Sequence, residues 1–376
     1  MKYSRLMVGL STIFMALILT ACQTQKVKPI IPRKLSQDFI ISSQFNRNSS
    51  QKKLLVKFLR NKMITKQGIY TNYRYDTSSE NLTHGHQMLS ESSGLWLLYL
   101  ATNHQYKKFR QTYQQTKKTF NQKNQFSYRY DPRTHKKANV NATLDDLRII
   151  RALQMYATLT HSKYYRQEAA KRFALLKTGS LKNGKVADFY DVKSHKQSSD
   201  SSLAYYDFVT LKYFESVNQT GKRLYKKQLK IVQNGYLGDA FPLYAASYQL
   251  KTQTYSVNTL NTSEALETVL HLAEIGKIKA TTLSWLKTQI EAGHLYNAYT
   301  TLGIVRDKNQ SAANYALAAM IFACENDQNM YEKAMQLAWK SQVTKTNSPI
   351  YGGLGNAQTT DAFSYNNLET LLAAEY

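Results

Sequence analysis

The chain has 376 residues, a formal charge of +25 and two cysteines. A chain of this length can bury a large apolar core, so its fold need not depend on disulfides. The positive charge favours anionic partners. The lysines are spread along the whole chain, however, which is typical of a solvated basic surface.

The first 21 residues have the pattern of a signal peptide. A short basic segment is followed by an apolar run over residues 6–19, which is too short for a comfortable membrane span. The run ends in Leu19-Thr20-Ala21-Cys22, which resembles the lipobox of bacterial lipoproteins. We therefore expect lipidation of Cys22 and attachment to the extracytoplasmic face of the cell membrane, with an ordinary signal peptide or a signal anchor as alternatives. An exported lipoprotein rarely meets nucleic acid, so we expect no nucleic-acid partner.

A polar, basic segment with two prolines follows and predicts a tether over residues 22–44. We expect residues 45–376 to form one domain. The remaining cysteine, Cys324, cannot form an internal disulfide. Neither a sustained alternating pattern nor a dinucleotide-type glycine loop is found in this domain.

The domain is a succession of helical patterns, with apolar residues spaced by three and four positions. The predicted helices cover residues 51–63, 87–101, 105–121, 144–159, 164–176, 203–217, 222–234, 241–248, 263–275, 283–292, 312–325, 330–340 and 366–374. Helices of this length joined by modest loops favour antiparallel pairs. The fold class is therefore all-α, either an (α/α)6 barrel of about six helical hairpins or an open helical solenoid.

Glu91 stands at the start of a strongly apolar helix, directly after Ser90, which could cap that helix. An acid in a first helical turn complements the helix dipole, and this is the structural explanation of Glu91. The functional explanation needs a second carboxylate, because glycoside hydrolysis uses two that face one bond.

Three aspartates are candidates for such a partner. Asp146 would share a helical face with Ile149 and Ile150, or would close a capping box with Thr143, whereas Asp145 should point elsewhere into solvent. Asp239 should precede the helix over residues 241–248 and could be its N-cap. Asp207 lies in an aromatic segment, where it should bind either substrate or a buried cation.

Aromatic residues offer an apolar face with a polar tip, which suits sugar rings. Tyrosine is abundant, with 28 in the chain. Trp96, Tyr205 and Tyr244 are the aromatic residues that we expect to contact substrate. His84 and His86 lack a third ligand at metal spacing, so we expect no metal site and no cofactor.

The order of these motifs resembles glycoside hydrolase family 8 over nearly all of the chain after the tether. The matching segments are Ser90-Glu91-x-x-Gly94, Ala142-Thr143-x-x-Asp146-Leu147-x-Ile149, Asp239-Ala240 and Asp361-Ala362-Phe363-Ser364-Tyr365-Asn366-Asn367-Leu368. The resemblance implies an (α/α)6 barrel that cleaves β-1,4-linked glucan, chitosan or xylan, mostly with inversion. It also implies Glu91 as general acid, Asp239 as catalytic base and Asp146 as a sugar contact at the cleavage point.

The chain departs from the family pattern at several positions beside these acids. Leu144 replaces the family's first aspartate in its motif, Ser92 replaces a glycine, Leu95 replaces an aromatic residue and Phe241 replaces an arginine. The expected function is an extracellular, monomeric glycoside hydrolase that acts on a polysaccharide. The alternative is a glycan-binding lipoprotein that assists a polysaccharide synthase or export machine.

Overall fold

The computed structural model describes residues 28–47, 49–76, 84–257 and 259–376. Cys22 and the predicted signal peptide lie outside these residues. The helices in chain order are α1 (Ser50–Phe58), α2 (Ser90–Thr102), α3 (Tyr106–Phe120), α4 (Thr143–Thr160), α5 (Lys163–Leu176), α6 (Phe208–Glu215), α7 (Gln219–Asn234), α8 (Thr262–Ala273), α9 (Ala280–Ala292), α10 (Ala312–Cys324), α11 (Gln328–Trp339) and α12 (Ser364–Ala373). None of the helices in these parts of the chain is long and apolar enough to cross a membrane.

The even-numbered helices form a closed inner ring. Contacts run from α2 to α4, α6, α8, α10 and α12 and back to α2, and a 3₁₀ turn (Leu203–Tyr205) extends the start of α6. The sequence explains this placement, because α2 and α10 are apolar around almost their whole circumference and must be buried on all sides. The odd-numbered helices lie outside; α7, for example, has one apolar face and many lysines. The all-α fold with an (α/α)6 barrel is therefore confirmed.

Short strands precede five of the six inner helices and form the rim at one end of the barrel. They are β1 (Met88–Leu89), β2 (Arg129–Asp131), β3 (Lys136–Lys137), β4 (Tyr190–Asp191), β5 (Lys196–Gln197), β6 (Asp200–Ser202), β7 (Ser247–Gln249), β8 (Leu260–Asn261), β9 (Tyr296–Tyr299) and β10 (Val305–Gln310). All pairs are antiparallel, in the orders β1-β2-β3, β10-β9-β8, β4-β5 and β6-β7. The rim surrounds the N-terminal ends of the inner helices.

The helix predicted over residues 241–248 is wrong. Tyr236 and Tyr244 instead form an isolated bridge, and residues 247–249 are strand β7. Gly238 has a φ of +104°, a conformation that residues with a side chain rarely adopt. The Ala245 amide donates to the Gly235 carbonyl at 2.8 Å and the Leu243 carbonyl accepts from the Leu237 amide at 3.0 Å, so these backbone groups bond across a turn instead of along a helix.

The opposite end of the barrel is closed by the first described residues. The Lys34 carbonyl accepts from the Tyr213 hydroxyl at 2.9 Å, near the end of α6, and the Phe45 amide donates to the last carbonyl of the chain at 2.7 Å. The Phe39 side chain is fully buried there. The later part of the segment predicted as a tether is therefore packed on the barrel, and it lies across the C-terminal ends of the inner helices, away from the rim.

Candidate active site

A pocket of about 260 Å³ opens at the rim end of the barrel, among the first turns of the inner helices. We call it the acidic pocket. Its lining consists of Glu91, Leu144, Asp145, Arg148, Ala204, Tyr205, Asn261, Ser263, Glu264, Glu267 and Tyr365. A larger depression of about 430 Å³ lies beside α11 and has one carboxylate, Glu332, among its lining residues. The concentration of acids therefore points to the acidic pocket as the site of chemistry.

Glu91 lies in the first turn of α2, and 23% of its side chain is exposed. Burial raises the pKa of Glu91 to about 8, and the neighbouring Asp145 adds to this effect more than Arg148 opposes it. Glu267 and Glu264 raise the pKa further. Glu91 therefore carries a proton at neutral pH and can donate it.

Arg148 connects four carboxyl groups at the base of the acidic pocket. Its Nη1 atom lies 3.9 Å from Glu91 Oε2 and 3.8 Å from Asp145 Oδ1. Its Nη2 atom lies 2.8 Å from Glu267 Oε2 and 3.7 Å from Glu369 Oε1. One cation cannot balance four buried anions, so part of this cluster must stay protonated.

Gly94 permits this close arrangement. A Cβ atom at position 94 would lie 3.0 Å from the Arg148 Cβ atom, so α2 and α4 can approach closely at this point because residue 94 has no side chain. The close approach brings Arg148 of α4 beside Glu91 of α2.

Asp145 lines the acidic pocket, so the expectation that it points into solvent is wrong. It is buried, and its Oδ2 atom accepts from the Ser90 hydroxyl at 2.7 Å. Burial raises its pKa to about 6, against the opposing effects of Arg148 and of the Ser90 hydrogen bond. Ser90 is therefore not the helix cap that the sequence suggested; Leu89 precedes α2, without a side-chain cap.

Glu264 and Glu267 are site residues that the sequence reasoning missed. They lie three positions apart on α8, so they share one face of the helix. Asn261 caps α8 by accepting from the Glu264 amide. Glu264 is exposed at the pocket mouth, and α8 stands opposite α2 in the inner ring. The Asn261-x-x-Glu264 pattern before an apolar run is a capping-box signal that could have singled out Glu264 at the start of the helix predicted over residues 263–275.

Asp146 does not line the acidic pocket. Its side chain is 2% exposed and accepts from the Phe126 amide at 3.0 Å and from the Asn141 side chain at 2.9 Å. It therefore fixes the loop that leads into α4. The suggested capping box is absent in this described region, because the Thr143 hydroxyl donates to the Ala187 carbonyl and Ala142 precedes the helix.

Asp239 is also outside the lining of the acidic pocket. It lies in an irregular turn, where its Oδ1 atom accepts from the Tyr236 hydroxyl at 2.6 Å. That hydroxyl is also 2.8 Å from the Thr281 hydroxyl of α9. The hydrogen bond from Tyr236 lowers the pKa of Asp239. Glu91 therefore lines the acidic pocket without Asp146 or Asp239, which the sequence suggested as its partners.

Of the remaining predicted contacts, Tyr205 lines the acidic pocket, whereas Trp96, Tyr244 and Asp207 are buried elsewhere. Trp96 stacks on Tyr99 inside the barrel wall. Asp207 caps α6 and lies 3.5 Å from Arg151, which agrees with the buried-cation alternative. Those three side chains cannot contact a sugar in this conformation. Among the described residues, no group of three histidine, cysteine or acidic side chains is placed to hold a metal ion.

Comparison with known proteins supports the fold assignment. No family model matches the chain. "Putative lipoprotein YdaJ" of Bacillus subtilis (strain 168) is 28% identical over 291 residues, which are 76% of this chain and 78% of that protein. The endoglucanase Cel10 of Klebsiella pneumoniae, a family 8 glycosyl hydrolase, superimposes with a TM-score of 0.58 at 14% identity, over 85% of this chain and 97% of that one. The chain has the fold of the family 8 glycoside hydrolases.

A second solved structure is more similar to this chain. It is a novel alpha-amylase from Clostridium perfringens, with a TM-score of 0.81 and 26% identity. The match covers 88% of this chain and 99% of that one. The barrel of this protein is thus shared with one protein described as an endoglucanase and with another described as an alpha-amylase.

Proposed function

We propose that the protein is a glycoside hydrolase that cleaves a polysaccharide in the acidic pocket by an inverting acid/base mechanism. The observation that carries the proposal is the pocket itself, where burial raises the pKa of Glu91 and a second carboxyl group, Glu264, lies on the opposite helix of the ring. Glycoside hydrolysis needs two carboxyl groups with pKa values suited to opposite roles.

Glu91 is the general acid in this proposal. Its proton goes to the glycosidic oxygen as the bond to the anomeric carbon breaks. The carboxylate left behind lies 3.9 Å from Arg148 Nη1, so an existing positive charge stabilises the product state. The negative charge of Asp145 disfavours ionisation of the nearby Glu91, so Asp145 helps Glu91 to keep its proton.

Glu264 is the general base in this proposal, in place of the sequence-predicted Asp239. Its side chain is exposed, which gives water access to its carboxylate, while partial burial and the nearby Asp188 and Glu267 raise its pKa above the ordinary value. An inverting pair needs a gap of about 6.5–9.5 Å to hold that water, and residues on opposite helices of a ring can provide it. Asp145 is less suited, because it is buried and already accepts from Ser90.

A β-1,4-linked polysaccharide is the proposed substrate, from the family resemblance and the endoglucanase neighbour. An α-1,4-linked glucan is the second candidate, because the structure with the higher TM-score is described as an alpha-amylase. Tyr205 and Tyr365 line the pocket and can contact a sugar in either case.

The test is hydrolysis of a soluble panel of β-glucan, chitosan, xylan and starch by the wild type and by single glutamine or asparagine variants. Glu91→Gln and Glu264→Gln should each lose about 10²–10⁴-fold in kcat. Asp239→Asn is the matched control and should stay within about twofold. Nuclear magnetic resonance of fresh product should show the anomer opposite to the cleaved linkage. Loss of activity in Asp239→Asn but not in Glu264→Gln would return the base to Asp239.

The glycan-binding alternative also has a specific observation in its favour. Leu144 lines the acidic pocket at the position where the family motif has an aspartate. If the wild type binds polymers of the panel but cleaves none of them, the protein is a binding lipoprotein for a polysaccharide synthesis or export machine. Binding without cleavage therefore decides between the two functions.

We also propose that the mature chain is anchored through Cys22 on the extracytoplasmic face of the cell membrane. Support comes from the lipobox pattern and from the name of the Bacillus relative. The N-terminal segment leaves the barrel at its closed end, so an anchor there turns the acidic pocket away from the membrane. Fatty-acid labelling should be lost in Cys22→Ala, and unchanged labelling of that variant would refute the anchor.

A further inference from the structure

A second pocket of about 280 Å³ is lined by Gln87, which directly precedes β1 of the rim, and by residues at the end of β2. One wall carries Tyr70, Tyr75 and His86, which we call the aromatic platform. The His86 ring stacks on Tyr70 with centroids 3.9 Å apart, and Tyr75 meets His86 edge-on at 5.2 Å. Tyr75 is 59% exposed, so its ring is open to a ligand.

The same pocket is lined by Asp131, at the end of β2, and by Pro132 and Arg133 of the turn that follows. The Asp131 Oδ1 atom accepts from the Arg133 amide at 2.8 Å, which fixes the carboxylate at the pocket edge. The Arg133 side chain is exposed. An aromatic face, a carboxylate and a guanidinium in one pocket can bind a sugar. The sugar ring packs on the aromatic side chain, and the sugar hydroxyls form hydrogen bonds with the charged groups.

The position of this second pocket relates it to the proposed cleavage site. Gln87 of its lining is four residues before Glu91, and β1 lies between them. Four residues span at most about 14 Å. A polymer that crosses the acidic pocket can therefore reach the aromatic platform with its next few units.

We propose that the aromatic platform, together with Asp131 and Arg133, binds a sugar unit of the polysaccharide beyond the cleavage point. This inference rests on the proposed function for the identity of the polymer. The subsite holds the chain during internal cleavage and does not touch the bond that breaks. Its removal should therefore weaken the binding of long chains and leave the chemical step unchanged.

The binding test uses Glu91→Gln protein, so that cleavage does not interfere, in native gels containing hydroxyethylcellulose, glycol chitosan or soluble starch. The additional change Tyr75→Ala should reduce retardation by the polymer that binds. The matched control is Tyr164→Ala, an exposed tyrosine at the start of α5, at the closed end of the barrel. Equal retardation of the Tyr75 and Tyr164 variants would overturn the subsite.

Kinetic measurements on variants that retain Glu91 provide a second test. Tyr75→Ala should raise the KM for the polymer by about threefold to tenfold, the value of one aromatic contact, with kcat unchanged. Arg133→Ala should raise the same KM, and its exposed side chain makes a folding defect a poor explanation. The KM for a disaccharide or trisaccharide should stay constant, and an equal rise for short and long substrates would contradict the subsite.

The binding and kinetic results also separate this inference from the proposed function. If the wild type cleaves none of the polymers but its retardation depends on Tyr75, the proposed hydrolysis fails and the subsite stands. If cleavage occurs and neither Tyr75 nor Arg133 affects the KM for the polymer, the subsite fails and the proposed hydrolysis stands.

Discussion

The proton on Glu91 should be visible in the pH dependence of folding stability, without knowledge of the substrate. The pKa of Glu91 is about 8 in the folded chain, against an ordinary value of 4.5. Between these two values the unfolded chain has lost the proton that the folded chain retains. Unfolding therefore releases a proton, so the folded state loses stability as the pH rises from about 4.5 to 8, and the loss is complete above pH 8.

The expected size follows from the same two values. A difference of about 3.5 pH units at 1.36 kcal/mol per unit sets a ceiling of about 5 kcal/mol. Water reaches part of this side chain, since 23% of it is exposed, which reduces the expectation to about 2–3 kcal/mol. Glu91→Gln has no proton to release and should lack this part of the pH dependence.

The assay is urea denaturation of the wild type and Glu91→Gln at pH 5, 6, 7, 8 and 9. The free energy of unfolding of the variant, relative to the wild type, should rise by about 2–3 kcal/mol over this range. Glu291→Gln removes a carboxylate whose side chain is 59% exposed and serves as the control, with an expected effect within about 0.5 kcal/mol. A difference between Glu91→Gln and the wild type that stays constant from pH 5 to 9 would show that Glu91 is ionised throughout.

Two further predictions concern Glu267 in the acidic pocket and Asp146 outside it. Glu267→Gln removes a negative charge that raises the pKa of Glu91, and it frees Arg148 from its 2.8 Å partner. Both effects lower the pKa of Glu91, so the alkaline limb of the plot of kcat against pH should move to lower pH. An unmoved limb would contradict this coupling. Asp146→Ala leaves two buried donors without an acceptor. Urea denaturation should show a free energy of unfolding that is lower by about 3 kcal/mol, and KM should be unchanged. A raised KM at unchanged stability would instead support the sugar contact that the family resemblance implies.

The helices were predictable because each buries a continuous apolar face, and that face fixes its position in the sequence. All predicted helices except the one over residues 241–248 coincide with helical segments. That exception has enough apolar residues for a helix, but the backbone turns at Gly238 and the Ala245 amide bonds back to the Gly235 carbonyl. The rim strands were not predictable from alternation, because most contain two or three residues.

The site residue that lies at a single helix start was predictable. The site residues that the closure of the ring brings together were not. Glu91 could be found because a lone acid begins an apolar helix. Asp145 and Glu264 join it through ring closure, between residues more than 50 positions apart, for which a single sequence has no local signal. Helical periodicity identified Asp146 as the inward-facing residue of α4, whereas the open space at the rim lies beside Asp145.

The distribution of protons in the cluster around Arg148 explains why Glu91 is suited to be the acid. With all four carboxyl groups ionised, the single guanidinium would leave a large negative charge in a poorly solvated space, so protons are retained. Burial also raises the pKa of Glu369 well above its ordinary value, but that side chain is enclosed in the barrel and cannot reach a substrate. Glu91 is the proton-bearing member whose side chain is partly exposed in the acidic pocket. The buried acids behind it therefore keep its proton in place, and its position at the rim makes that proton available to a glycosidic oxygen.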